Sequence, residues 1–207
     1  DVATGMGLDS RIGPRFLHAG IGYGGSCFPK DVKALMATAK VHGLDFSIVD
    51  ATDRINTRQR KRFFEKILAS LPKKSTVAIW GLSFKPKTDD MREAPSLDLI
   101  PMLLSAGHTV RAFDPEAMER AKALLRPNSA SGQALLPAGV VFASSAMDAA
   151  KGADTTVLLT EWDIFRGVDM GELKKVMKGK MFFDGRNAYE PAEVREAGLE
   201  YYGIGIS

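Results

Sequence analysis

The amino-acid sequence predicts an α/β fold in which a long central helix is followed by a Rossmann-like domain with a parallel sheet. Over residues 75–207, short apolar runs alternate with helical patterns. This alternation is typical of parallel strands that are covered by helices on both faces. Residues 46–71, which precede that domain, contain neither glycine nor proline. The apolar share of 45% is enough for an ordinary folded core.

The part of the chain before this domain is predicted to be helical after a glycine-rich start. Residues 1–26 lack an amphipathic repeat and are predicted to be a short helix end and then a loop. Pro29 favours the first turn of a helix, which continues until Gly43. A second helix is predicted over residues 46–71, and at 1.5 Å per residue it is roughly 39 Å long. Its approximate apolar stripe consists of Ile48, Thr52, Ile55, Phe63, Ile67 and Leu68.

Six short apolar runs are predicted to be the strands of the sheet. The first of them ends in glycine after four apolar residues, which is typical of a buried strand. The predicted strands are residues 77–81, 110–114, 140–143, 155–159, 181–184 and 199–202. The predicted helices are residues 95–106, 116–125, 146–151, 169–178 and 191–197.

Composition excludes several classes of protein. The 28 basic and 25 acidic residues give a net charge of only +3, so a nucleic-acid partner has little support. A single cysteine cannot form an internal disulfide, which favours a reducing compartment and predicts a cytoplasmic location. No apolar run approaches the roughly 18 residues of a membrane span. Because the chain begins Asp1-Val2 without methionine, it is predicted to be a piece of a longer protein.

The stretch GIGYGGSCFPKD at residues 20–31 contains the pattern of a dinucleotide-binding fingerprint. Gly20, Gly22 and Gly25 have the required spacing, but that motif needs a buried strand before it and an acidic residue about 20 positions later. The residues that precede Gly20 do not form an apolar run. The fingerprint interpretation therefore fails on its context.

Cys27, the only cysteine, explains this stretch better. A thiol at the start of a helix faces backbone N–H groups and the positive end of the helix dipole, which favour the nucleophilic thiolate. Asp31 lies one helical turn further on, where a carboxylate can act on a water molecule or a proton. On context alone a buried structural role for Cys27 stays open. A role for Asp31 as an ordinary first-turn acid stays open as well.

Four segments together resemble the UDP-glucose/GDP-mannose dehydrogenase family. They are DSRIGPRF at residues 9–16, FLHAGIGYGGSCFPKDVKAL at 16–35, GLSFKPKTDDMREAPS at 81–96 and FDGRNAYEP at 183–191. They occur in the order and spacing of that family and cover essentially the whole chain. The amino-terminal half of the family, with its NAD-binding Rossmann domain, has no counterpart in this sequence.

The resemblance implies an NAD-dependent oxidation of the 6-hydroxyl of a sugar nucleotide, in the first place UDP-glucose, to a carboxylate. Cys27 matches the nucleophile of the family, which captures an aldehyde as a thiohemiacetal and then carries a thioester. Asp31 matches an aspartate linked to the water and proton steps. Since the NAD-binding half is missing, this chain alone is predicted to be inactive.

The same resemblance implies binding roles. Residues of the substrate site would be Arg11, Phe16, Tyr23, Gly24, Ser26, Phe84, Lys85 and Arg186. Arg11 would reach the substrate across a dimer interface, and Arg92 would contact the NAD pyrophosphate. Each of these cations also has an alternative as a solvated surface charge. No metal site is predicted, because His18, His42 and His108 lack ligand spacing.

The predicted organisation has two parts. Residues 1–72 would form the active-site loop and central dimerisation helix, and residues 73–207 the UDP-sugar-binding Rossmann-like domain. The partners would be UDP-glucose and a second copy of the chain, bound through residues 46–71. Two alternatives remain: a dehydrogenase of GDP-mannose or a UDP-N-acetyl-hexosamine, or a non-catalytic nucleotide-binding module.

Overall fold

A computed structural model describes residues 1–14, 17–125 and 140–206. The chain begins with a short helix, α1 (Val2–Gly7), and the glycine-rich loop (residues 20–26) leads into α2 (Phe28–Val41). The long helix α3 (Ser47–Ser70) follows. The helices predicted from Pro29 and over residues 46–71 are thereby confirmed.

The second part of the chain is a six-stranded sheet in which every neighbouring pair of strands is parallel. The strand order is β3-β2-β1-β4-β5-β6, which is the order of a Rossmann fold. The predicted fold class is confirmed. The strands are β1 (Thr76–Trp80), β2 (Thr109–Phe113), β3 (Val140–Phe142), β4 (Thr155–Leu158), β5 (Met181–Asp184) and β6 (Glu200–Tyr202).

Helices connect the strands at the predicted places. One short helix was not predicted, Asp163–Arg166, because four residues are too few to show a helical period. The remaining helices are α4 (Ser96–Ser105), α5 (Met118–Leu124), α6 (Ala146–Ala150), α7 (Asp163–Arg166), α8 (Met170–Val176) and α9 (Pro191–Glu196).

Both faces of the sheet are covered by buried apolar side chains. Successive residues of a strand point to opposite faces, and β1 shows this alternation. Val77 and Ile79 belong to the core under α3, α4 and α5. Ala78 and Trp80 belong to the core under α6, α8 and α9. A strand buried on both sides must be apolar at consecutive positions, which is why β1 reads as a continuous apolar run.

Only the second half of α3 is buried against this domain. Phe63, Phe64 and Ile67 are buried in the core, whereas Ile48 and Ile55 are exposed. Within the described chain, the apolar stripe predicted along α3 is therefore covered only in its second half. Among the helices within the described ranges, none combines the length and apolarity that crossing a membrane requires.

The strand order determines where a ligand can bind. Between β1 and β4 the direction of the connections reverses, and Rossmann-like folds bind ligands outside the carboxyl ends of the strands at such a point. The backbone is tightly packed here, since a Cβ atom on Gly81 would lie 2.5 Å from the Cβ of Thr160. The loops that follow β1, β4 and β5 meet at this edge of the sheet.

Candidate active site at the carboxyl edge of the sheet

The glycine-rich loop is docked on the loops that follow β1 and β5. The Ile21 amide donates to the Gly185 carbonyl at 3.1 Å, and the Gly25 amide donates to the Arg92 carbonyl at 3.0 Å. A Cβ atom on Gly24 would collide with the Glu93 carbonyl oxygen. Glycine is therefore required at position 24 for this close approach of two backbones.

Gly25 rests against Phe84, which brings two of the resembling segments into contact. Gly25 has a φ of +93°, and a Cβ atom there would lie 2.6 Å from a carbon of the Phe84 ring. The Lys85 ammonium lies 5.2 Å from the centre of the same ring, within cation–π range. Phe84 and Lys85 thus lie beside the glycine-rich loop.

Cys27 occupies the N-cap position of α2 and is exposed. Its carbonyl accepts the Asp31 amide at 2.9 Å, and its Sγ lies 3.6 Å from the Ser26 hydroxyl oxygen. The exposure contradicts a role as a buried packing residue. A thiol in this position is accessible to a ligand and faces the first turn of a helix of 14 residues.

Asp31 lies in that first turn, as the sequence predicted. Its carboxylate is 3.1 Å from the Lys30 ammonium, and its side chain is 61% exposed. An exposed pair of this kind contributes little to stability. The geometry fits both a first-turn acid and a group that acts on water near Cys27, so the role of Asp31 stays a prediction.

Arg92 brings a positive charge near the thiol. Its guanidinium pairs with Asp90 at 2.8 Å. The hydrogen bonds to Asp90 raise the pKa of Arg92, and Cys27 makes a smaller electrostatic contribution in the same direction. Arg92 in turn lowers the pKa of Asp90. The Arg92 carbonyl accepts the Gly25 amide, so the residue predicted to contact a pyrophosphate lies beside the loop that leads to Cys27.

Arg186 closes the opposite side of the site. Its Nη2 donates to Glu161 at 2.8 Å, and its Nε lies 2.7 Å from the second carboxylate oxygen. Its Nη1 would lie 2.8 Å from a Cβ atom on Gly20. The absence of a side chain at Gly20 therefore lets the guanidinium reach the glycine-rich loop.

Asp184 holds the segment that carries Arg186. This buried carboxylate at the end of β5 accepts the amides of Arg186, Ala188 and Tyr189 and the hydroxyl of Tyr201. Burial raises the pKa of Asp184, and the hydrogen bonds it accepts oppose that rise. The turn built around this carboxylate positions the backbone of Arg186, and Glu161 after β4 holds its guanidinium.

Asp114 has the same role for the segment after β1. It is fully buried, and its Oδ2 accepts the amides of Leu82 and Ser83 and the indole N–H of Trp162. Asp114 directly follows β2, where Rossmann enzymes place the acid that binds a ribose. Here donors of the protein itself occupy Oδ2 of Asp114. Asp114 therefore fixes the start of the segment after β1, which contains Phe84 and Lys85.

Two residues of α3 at the site were missed in the sequence. The Asn56 side chain accepts the Tyr23 amide at 2.8 Å and donates to the Tyr23 carbonyl at 3.1 Å. Arg60 donates to the same carbonyl at 3.1 Å. In the sequence both read as ordinary polar positions of a long helix, and only the contact with the loop distinguishes them.

The Tyr23 side chain packs within the same part of the chain. Its ring lies edge-on to Phe28, with 4.7 Å between the ring centres. Burial raises the pKa of Tyr23, and the nearby Asp53 carboxylate adds to that shift. The phenol is therefore neutral at physiological pH.

Of the remaining predicted residues, Arg11 lies outside this arrangement in the single chain. Arg11 pairs with Asp9 at 2.6 Å, and its side chain is 87% exposed. Phe16 lies outside the described residues. Within the described ranges, no three His, Cys, Asp or Glu side chains group closely enough to hold a metal ion.

Two family models match the sequence. Residues 78–191 match the UDP binding domain of the UDP-glucose/GDP-mannose dehydrogenase family, and residues 1–58 match the central domain of the same family. The first match covers more than half of the chain and includes the crevice at the carboxyl edge. The second includes the glycine-rich loop and Cys27.

Individual proteins show the same similarity. A UDP-glucose 6-dehydrogenase of Pseudomonas aeruginosa is 45% identical over 208 residues, which are 99% of this chain and 45% of that protein. One of Rhizobium meliloti is 41% identical over the same shares. The solved structure of a UDP-glucose dehydrogenase from the archaeon Pyrobaculum islandicum superposes with a TM-score of 0.78 at 32% identity, covering 100% of this chain and 43% of that one. The chain thus spans a little under half the length of these relatives.

Proposed function

Because this chain belongs to the UDP-glucose/GDP-mannose dehydrogenase family, we propose that it supplies the nucleophile and substrate site of an enzyme that oxidises UDP-glucose to UDP-glucuronate. The observation that carries the proposal is the exposed Cys27 at the start of α2, beside loops that bear Lys85, Arg92 and Arg186. The similar curated proteins, at 45% and 41% identity, are named for UDP-glucose rather than another sugar nucleotide.

In the proposed chemistry Cys27 carries the substrate through the second oxidation. The thiolate adds to the aldehyde carbon, and the oxygen takes a proton to give a thiohemiacetal. Loss of hydride with its electron pair and of the hydroxyl proton leaves a thioester on Cys27. Water then adds to the thioester carbonyl, and the thiolate leaves as the carboxylate forms. Asp31 would accept the proton of that water.

NAD⁺ supplies the hydride acceptor for both oxidations when it is bound. In this chain, Arg92 is the residue proposed to contact NAD⁺. Its guanidinium is exposed and lies near Cys27, and an arginine of this kind suits the binding of a pyrophosphate. The diphosphate of the substrate would lie between Lys85 and Arg186, and its hexose would lie along Tyr23, Gly24 and Ser26. The glycines of the loop let an anionic ligand approach backbone N–H groups.

The function is tested with the natural polypeptide that contains this chain. With UDP-glucose and NAD⁺ it should release UDP-glucuronate and two NADH for each substrate molecule, since a primary alcohol loses two hydrides on its way to a carboxylate. The 207-residue chain alone should release no NADH. A preference for GDP-mannose or a UDP-N-acetyl-hexosamine would favour the other dehydrogenases. Nucleotide binding with no oxidation of any of them would favour the non-catalytic module.

The two-part division at residues 72 and 73 and the dimer remain proposals. The first half of α3 exposes Ile48 and Ile55, and α2 exposes Leu35 and Val41 as well. Exposed apolar side chains on two helices that contact each other are typical of an interface. A second copy of α3 offers the same apolar surface in return.

A single cysteine suits the proposed cytoplasmic location.

The dimer has a direct test in Ile55→Glu. Light scattering at micromolar concentration should give the unaltered chain a mass of about twice 22.4 kDa. Ile55→Glu should shift the mass towards that of the monomer, because an unpaired carboxylate buried in the interface opposes association. The control is Ile164→Glu on α7, since Ile164 is 55% exposed and Ile55 is 54% exposed. Equal masses for the two variants would count against α3 as the interface.

A further inference from the structure

We propose that Asn56 and Arg60 of α3 are positioning residues, which hold the glycine-rich loop in the conformation that the site at Cys27 requires. This inference rests on the proposed function and adds two residues that none of the resembling segments contains. They lie four positions apart and therefore on the same face of the helix. Both point to the same residue of the loop, Tyr23.

Asn56 binds both backbone groups of Tyr23. Its Oδ1 accepts the Tyr23 amide at 2.8 Å, and its Nδ2 donates to the Tyr23 carbonyl at 3.1 Å. A side-chain amide that pairs with an N–H and a C=O of one residue fixes the orientation of that backbone unit. Gly22 is part of this arrangement, because a Cβ atom there would lie 2.5 Å from the Asn56 Oδ1.

Arg60 joins the loop to two further parts of the molecule. Its Nη2 donates to the carbonyls of Tyr23 at 3.1 Å and Glu93 at 3.2 Å, and its Nη1 donates to the Asp98 carboxylate at 2.6 Å. Its side chain is only 12% exposed. A buried guanidinium with these acceptors ties the glycine-rich loop to the segment after β1 and to α4, which carries Asp98.

The loop needs such external support because its own sequence imposes little order. Gly22 and Gly25 adopt positive φ angles of +110° and +93°, and glycine exchanges such conformations at low cost. Within the described part of the chain, the other backbone hydrogen bonds that attach the loop, besides those of Asn56 and Arg60, are Ile21 to Gly185 and Gly25 to Arg92. Cys27 follows four residues after Tyr23, so the position of its thiol depends on where this segment is held.

The experiment compares Asn56→Ala, Arg60→Met and Arg60→Lys in the natural polypeptide that contains this chain. The control is Lys61→Met, which removes a cation of the same helix whose side chain is 72% exposed. Three quantities are measured: hydrogen exchange of residues 20–26 by mass spectrometry, kcat/KM for UDP-glucose, and the melting temperature.

Loss of a hydrogen bond that involves a charged group corresponds to roughly 10- to 100-fold in an equilibrium. Arg60→Met should therefore accelerate loop exchange and lower kcat/KM by about that factor. Asn56→Ala removes two hydrogen bonds between neutral groups, which are individually weaker but together amount to a similar factor. Arg60→Lys keeps the charge and the partner Asp98 but lacks the planar fork that reaches two carbonyls. Arg60→Lys should therefore show slower loop exchange and a higher kcat/KM than Arg60→Met. Lys61→Met should leave loop exchange and kcat/KM unchanged.

The inference would be overturned if Asn56→Ala and Arg60→Met only lowered the melting temperature, with loop exchange and kcat/KM equal to those of Lys61→Met. The inference would also be contradicted if Arg60→Lys had the same loop exchange and the same kcat/KM as Arg60→Met. If the unaltered enzyme does not oxidise UDP-glucose, the proposed function fails. Exchange at residues 20–26 then still decides whether these two side chains hold the loop.

Discussion

Replacing Cys27 by serine is expected to abolish the formation of UDP-glucuronate in the complete enzyme while leaving the binding of UDP-glucose intact. Serine has nearly the same shape, so the contacts of the glycine-rich loop should survive. Its hydroxyl is far less acidic than a thiol, and the field at the start of α2 cannot make up the difference. Steady-state production should fall beyond the roughly 100- to 10,000-fold that loss of an acid–base group causes.

The measurement is the yield of NADH together with product analysis over a long incubation. The first oxidation needs no thiolate, so small amounts of aldehyde-level product are expected from Cys27→Ser. Affinity for UDP-glucose, measured by calorimetry, is the internal control for an intact pocket. A variant that makes UDP-glucuronate at nearly the original rate would refute the covalent mechanism.

The second large effect is expected from Gly25→Ala. Gly25 combines a positive φ with direct contact to the Phe84 ring, and a Cβ atom 2.6 Å from that ring forces the loop or the ring to move. A displacement of about 1 Å at a reacting group can cost roughly 100-fold in rate. We therefore expect kcat/KM to fall by about 100-fold or more, with a lower melting temperature.

Gly43→Ala is the matched control for this substitution. Gly43 also has a positive φ, +66°, but a Cβ atom there has no neighbour within 4 Å. In Gly43→Ala the free energy of unfolding should fall only by the roughly 1–2 kcal/mol that a left-handed conformation costs a residue with a side chain. The kcat/KM of this variant should be unchanged. Equal losses of activity in both variants would show that backbone conformation, and not contact with Phe84, explains the effect at Gly25.

Local patterns were enough to predict the described elements of the second domain except the short helix α7. The apolar run at residues 77–81 became β1 because a strand buried on both faces needs apolar residues at consecutive positions. Pro29 indicated the start of α2, since proline suits the first turn of a helix. These signals act between residues close in sequence, so they can be read without knowing which elements meet.

Residues that hold the site could not be predicted in this way. Asn56 contacts Tyr23 across 33 positions, and Glu161 pairs with Arg186 across 25. No periodicity distinguishes such a residue from a solvated polar side chain of the same type. Asp184 ends β5 and Asp114 directly follows β2. This position at the end of a buried strand was the one signal in the sequence that could have identified them.

The sequence by itself determined the succession of strands and helices along the chain and the location of Cys27 at a helix start. It also determined that the four resembling segments belong to one family. The tertiary structure decided that the second half of α3 is buried and the first half exposed, although both halves contribute to the same apparent stripe. It also decided that Asn56 and Arg60 bind the glycine-rich loop. The physical reason is that burial and hydrogen bonding depend on which distant surfaces come together, whereas helix and strand formation depends largely on neighbours along the chain.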